Sequence, residues 1–205
     1  NQFEEALEQE LLVNLGDLFQ KPESYDPVDT RKLMLANVPV IYQGSLKGGS
    51  GSMLFSGRPD FLLRSDYRFE FTKTGLTAKK SGDLTAGYTA WDAKLSKTPK
   101  PEYQVQVGLY VDVLETLGLN APGTHGLIQG SREINEFTGD VLLANMKLKR
   151  SAYLDEVADF IDSNPASIAD CGELICTATS YCDICEYPKL CSHQRYETNS
   201  LQLVA

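Results

Sequence analysis

The apolar positions of this chain fall into two rhythms. Short runs rich in β-branched and aromatic residues, bounded by Gly, Ser and Asp, lie at Val38 to Leu46, around Met53 to Phe55, at Asp60 to Arg64 and at Tyr67 to Thr72. Two more lie at Gly87 to Leu95 and about His125 to Gln129, and each run predicts a strand. Lys47-Gly48-Gly49-Ser50-Gly51 is a turn signal between the first two. The longer rhythm predicts helices over about 2–19 (Phe3, Leu7, Leu11), 102–117 and 142–163. In the second of these, Val105, Leu109, Val113 and Leu117 repeat every fourth residue, behind the helix-entry signal Thr98-Pro99-Lys100-Pro101. A polar, Pro-bearing linker fills 20–30, a helix-or-loop segment follows it, and Pro165 stops the last helix. The expected order is αβββαβ: an α/β core over 1–165 with a mixed central sheet flanked by helices, and a separate segment over 166–205.

Two of the strand signals carry charge where charge is costly. Asp60 closes Gly57-Arg58-Pro59-Asp60, and Trp91-Asp92-Ala93-Lys94 ends a β-prone run. Side chains two apart in a strand share a face, so Asp92 and Lys94 project together. If the two strands pair, Asp60 joins them, and two hard carboxylate oxygens suit Mg²⁺ or Mn²⁺ while the ammonium orients water or a phosphate. A lone Asp-x-Lys is usually a solvated strand edge. Here the run Gly87-Tyr88-Thr89-Ala90-Trp91 predicts burial, and a buried charged pair needs a purpose. Gln106 and Tyr110 are four apart and share one helical face. Alone they would read as a surface polar residue and an ordinary core aromatic.

The C-terminal stretch adds a different chemistry. Cys182, Cys185 and Cys191 form Cys-x2-Cys-x5-Cys, and with Cys171 and Cys176 the total is five, an odd number. There is no signal-peptide pattern and no apolar run of about 18 residues, so a cytoplasmic protein without a membrane span is expected. In that compartment clustered cysteines favour a metal over disulfides. Zinc, with His193 or Cys176 as fourth ligand, and an iron–sulfur cluster both suit the spacing. A net charge of −9 is wrong for binding many phosphates by bulk charge. Positive charge would have to be local, and Lys94, Lys97, Lys100 and Lys147, Lys149, Arg150 are the candidate runs. No P-loop or GxGxxG signature is present, and His125 and His193 form no triad with a Ser or Cys nucleophile.

As an ordered set these motifs resemble the nuclease domain of the RecB-like group of the PD-(D/E)xK superfamily, bacterial members with a C-terminal cysteine cluster above all. They are also similar to CRISPR-adaptation exonucleases and AddB-type nuclease domains. The resemblance rests on Gly57 to Leu62, Trp91 to Leu95, Pro99 to Tyr103, Gln106-x-x-x-Tyr110, the Cys182/Cys185/Cys191 cluster and the tail from Arg195, and spans most of residues 40–205. It implies a restriction-endonuclease-like core and a Mg²⁺- or Mn²⁺-dependent exonuclease acting on single-stranded or frayed DNA in repair, recombination or defence. It also implies a 4Fe–4S cluster on the cysteines. The metal would sit on Asp60, Asp92 and the Ala93 carbonyl, Lys94 would serve water activation, and Gln106 and Tyr110 would position the strand.

Relatives add a His or Glu from the first helix and a cysteine upstream of the core. Glu4 or Glu5 is the helical candidate here, in a segment where Glu4, Glu5, Glu8 and Glu10 otherwise read as a solvated acidic face. For the cluster, the fourth cysteine is expected upstream, outside this excerpt, with Cys176 and then Cys171 as substitutes. The chain opens at Asn1 inside a helical pattern, which reads as an excerpt of a longer parent that could carry a helicase or other domains. The rival expectations are a non-catalytic DNA-binding module with an iron–sulfur or zinc staple, and a zinc-stabilised interaction domain.

Overall fold

The computed structural model describes residues 2–49, 54–82, 87–121, 123–163 and 193. The chain parts into two compact units, residues 1–153 and 154–205. In order come α1 (Gln2–Leu15), a 3₁₀ turn (Gly16–Leu18), β1 (Phe19–Gln20), α2 (Pro27–Leu35), β2 (Val40–Tyr42), β3 (Leu46–Gly48) and β4 (Phe55–Gly57). Then follow β5 (Phe61–Arg64), β6 (Tyr67–Thr72), β7 (Gly75–Lys80), β8 (Tyr88–Lys94), α3 (Pro101–Thr116), β9 (Thr124–Gln129), β10 (Ile134–Thr138) and α4 (Gly139–Ser163). Among the described residues the fold is mixed α/β with four α-helices. Among the described residues no helix is long and apolar enough to cross a membrane.

One mixed sheet runs β1-β2-β5-β8-β9-β10, and the hairpins β3–β4 and β6–β7 form two small sheets of their own. Strands β2, β5 and β8 are antiparallel neighbours. Strand β9 lies parallel to β8, which demands a crossover, and α3 supplies it. Central β8 is buried at every residue from Tyr88 to Ala93, because both of its faces are covered.

The alternation of side chains decides which face each residue serves. Leu62, Tyr88, Ala90 and Leu127 pack with Val107, Tyr110, Val111 and Leu114 of α3 and with Leu142 and Met146 of α4. The intervening Phe61, Leu63, Trp91, Ala93 and Ile128 pack with Leu7 and Leu11 of α1, Phe69 of β6 and Leu76 of β7. By the same parity Asp92 and Lys94 belong to the α3 face.

Several expected elements shift. The strand anticipated over Val38 to Leu46 divides between two sheets, because Gln43 adopts φ 49° and breaks the extended run. The first helix ends at Leu15 because Gly16 takes φ 53°. Residues 27–35, read as linker and helix-or-loop, are helical: Asp26 caps the Val28 N–H at 2.9 Å and Pro27 starts the first turn.

Candidate active site

The β5–β8 pairing builds the site. Phe61 lies opposite Trp91, so one step further brings Asp60 opposite Asp92. Each carboxyl is then seated on the other strand. The Asp60 N–H donates to Asp92 Oδ1 at 3.2 Å, and the Ala93 N–H donates to Asp60 Oδ2 at 2.7 Å. The side chain of Asp92 is 1% exposed, and its second oxygen, Oδ2, has no hydrogen-bond donor. The Lys94 ammonium stands 2.9 Å from that oxygen as an ion pair.

Lys94 Nζ donates to Gln106 Oε1 at 2.9 Å. Gln106 Nε2 donates to the Tyr110 hydroxyl at 2.9 Å, and that hydroxyl donates to the Arg58 carbonyl at 3.2 Å. Helical spacing makes the Gln106–Tyr110 link, and the parallel crossover aims it at the β8 charges. The structure therefore brings Asp60, Asp92, Lys94, Gln106 and Tyr110 into one connected line. Tyr110 is also a core residue, its ring 5.8 Å from that of Phe55.

Glu4 joins from the other side of the strand ends. Tyr42 Oη donates to Glu4 Oε1 at 2.9 Å and Gln43 Nε2 donates to the same oxygen at 2.6 Å. The Gln43 N–H holds the Asp60 carbonyl at 2.8 Å, and the Glu4 charge acts on the Asp60 carboxyl. The solvated-face reading is thus corrected for Glu4, whereas Glu5 is exposed. No local sequence signal announced this contact, which depends on the kink at Gln43 and on where α1 crosses.

The crowded carboxyls shift one another. Burial, then the charges of Asp92 and Glu4, push Asp60 up to about 8, against the pull of the Ala93 N–H and of Lys94. Burial likewise raises Asp92, although Lys94 and the Asp60 N–H favour its charged form. Burial works against charge at Glu4 too, but donors Gln43 and Tyr42 outweigh it and hold that carboxyl below its usual value. Burial and the charge of Asp92 raise Tyr110, which stays a protonated donor, although Gln106 and the Arg58 charge pull the other way.

A divalent cation fits this donor set. Two buried carboxyls that cannot both ionise freely are relieved by a proton or by a hard cation. Ala93 lies between them with its N–H engaged. Among the described residues no cage of three or more His, Cys, Asp or Glu side chains is ready-made, so a metal would need water or substrate oxygens as well. The expected cluster ligands Cys182, Cys185, Cys191 and Cys176, with Cys171, lie outside the described residues. Of the candidate basic runs, Lys97, Lys100, Lys147 and Lys149 are exposed, while Arg150 turns to Asp112 at 3.0 Å. No family model, curated protein or solved structure matches this chain, and its chemistry rests on the geometry.

Proposed function

We propose that this chain is a Mg²⁺- or Mn²⁺-dependent deoxyribonuclease of the RecB-like PD-(D/E)xK type, an exonuclease acting on single-stranded or frayed DNA. The observation that carries the reading is the seating of Asp60 against Asp92 on paired strands, with Lys94 on the same face and tied to Gln106 and Tyr110. A chance Asp-x-Lys at a solvated edge would show neither the burial nor the partners. The order α1, then β2, β5 and β8 antiparallel, then α3 and parallel β9, supports a restriction-endonuclease-like core.

In this reading Asp60, Asp92, the Ala93 carbonyl and Glu4 would hold the cation, which supplies Lewis acidity to a phosphoryl oxygen when bound. The other work falls to the chain. Lys94, anchored by Gln106, orients the attacking water and steadies the negative charge that develops on the phosphoryl oxygens. Water adds to phosphorus, the bond to the leaving oxygen breaks, and a proton passes to that oxygen. Tyr110, fixed by Gln106 and the Arg58 carbonyl, stiffens the helix face beside which the strand lies. A 4Fe–4S cluster on Cys182, Cys185 and Cys191, with Cys176 as a candidate fourth ligand, would staple the C-terminal segment.

One observation favours a second reading, a non-catalytic DNA-binding module. Lys94 already stands on Asp92 Oδ2, where a cation would bind, and among the described residues no three-acid cage is preformed. Calorimetric titration separates the two. The nuclease reading expects Mn²⁺ binding at one site that is lost in Asp60→Ala and in Asp92→Ala. Oligonucleotide binding that persists with no Mn²⁺ binding would support the module instead.

A further inference from the structure

Arg58 differs from four other arginines of the fold. Arg64, Arg68, Arg132 and Arg150 each pair with a carboxylate. Among the described residues no carboxylate pairs with Arg58, which is exposed and lies with its guanidinium 4.0 Å from the centre of the Tyr25 ring. Tyr25 is 63% exposed. An aromatic ring this exposed, lying against an arginine in an acidic protein, is poorly explained by core packing.

The backbone that carries Arg58 is fixed against the site. Its carbonyl takes the Tyr110 hydroxyl. On one side a Cβ on Gly57 would stand 2.9 Å from the Tyr110 ring and 2.7 Å from that of Phe55, so only glycine fits without displacement. On the other side Pro59 is buried and rigid, and Asp60 follows it. A long cation is thereby held two residues from the carboxyl pair. At the other end of the same line the Lys94 ammonium lies 5.2 Å from the Tyr103 ring, and the exposed Lys100 lies 5.9 Å from it. Tyr103 and Tyr110 are seven residues apart on α3, a rise of roughly 10 Å.

We propose that Arg58, braced on Tyr25, is the arm that grips a backbone phosphate of a single strand entering the site, with Tyr25 stacking an adjacent unpaired base. This rests on the nuclease reading and gives its substrate class a physical cause. A guanidinium fork reads phosphate oxygens, and an exposed tyrosine face accepts any unstacked base but none locked inside a duplex. It also answers the charge problem, since a chain of net charge −9 needs its positive contact placed locally.

The test measures steady-state cleavage of a 5′-labelled single-stranded oligonucleotide in Mn²⁺ by the full chain and its variants. Binding of a phosphorothioate strand in Ca²⁺ is followed across a salt series. Arg58→Ala is expected to raise KM about tenfold with kcat within about twofold, as loss of one charge-assisted phosphate contact implies. Its log–log salt slope should shrink by roughly 0.7, the contribution of one contact on a single strand. Arg58→Lys should restore the slope but not the full KM, because it keeps the charge and loses the planar stack. Tyr25→Leu should raise KM for single strands more than for blunt duplex. Lys79→Ala, which removes one positive charge from an exposed position on β7, should change neither quantity. Wild-type cleavage with unchanged KM and slope in Arg58→Ala overturns the arm alone. Wild-type protein that neither cuts nor binds the strand overturns the parent reading and the arm with it.

Discussion

Asp60 and Asp92 face one another at the end of two paired strands, and burial makes their two charges mutually costly. Replacing Asp92 by Asn keeps the shape and removes one charge. Asp92→Asn is expected to lower cleavage by about 10³-fold, the several kcal/mol a lost cation site represents. Its thermal midpoint in EDTA should equal or exceed that of the wild type, and a large drop would mean that Asp92 serves stability. Asp60 adds a pH signature. Its carboxyl titrates about 8 in the fold against 3.8 ordinarily, so between these values the folded form holds a proton that the unfolded chain has released. On this group's account stability is full below the lower value, falls as pH rises and levels off above about 8. Mg²⁺ replaces that proton, so its stabilisation in urea unfolding should grow between about pH 5 and 8. Equal Mg²⁺ protection across that range would separate the cation from Asp60. Tyr110→Phe removes a hydroxyl bonded on both sides, at a stability cost of roughly 1 kcal/mol. Turnover should fall about tenfold as Gln106 and then Lys94 lose their anchor. An unchanged rate, with Tyr110→Ala unfolded, would make Tyr110 a core aromatic and nothing more.

At the scale of elements, the site depends on register. Gly126 of β9 lies opposite Trp91, where a Cβ would stand 2.3 Å from the Asn135 carbonyl oxygen and 2.5 Å from the Trp91 ring. Gly126→Ala should therefore destabilise by about 1–3 kcal/mol, through overpacking of the strands that carry Asp92 and Lys94. Chemical denaturation measures it, and a neutral effect would show that this register tolerates slippage. The strands that build the site were the legible ones. The β-prone run into Trp91-Asp92-Ala93-Lys94 reads as β8, and the four-residue stripe Val105, Leu109, Val113, Leu117 reads as α3, because local pattern suffices for both. Residues that depend on distant partners were not legible. Strand β7 reads Gly-Leu-Thr-Ala-Lys-Lys and is a strand because β6 pairs with it and α1 covers Leu76. Strand β10, with its polar centre, exists through pairing with β9. The inward turn of Glu4 and the seat of Arg58 on Tyr25 are tertiary contacts with no local period to betray them.

For the whole molecule, one sheet carries a layer of α3 and α4 on one face and α1 with the β6–β7 hairpin on the other, and the carboxyl pair sits at the end of its central strands. A crossover helix can bring an ordered polar line to that point only because β8 and β9 are parallel. In the proposed reading a net charge of −9 repels nucleic acid, and its contact falls to Arg58 against Tyr25 and to Lys94 and Lys100 against Tyr103. We propose that this point hydrolyses phosphodiester bonds with a divalent cation. It is tested most directly by incubating 5′- and 3′-labelled single-stranded oligonucleotides with the full chain in Mn²⁺, beside Asp92→Ala and an EDTA control. Shortened products are expected from the wild type with Mn²⁺, and intact strands from both Asp92→Ala and the EDTA reaction. Intact strands from the wild type in both Mg²⁺ and Mn²⁺, or equal cleavage by Asp92→Ala, would contradict it.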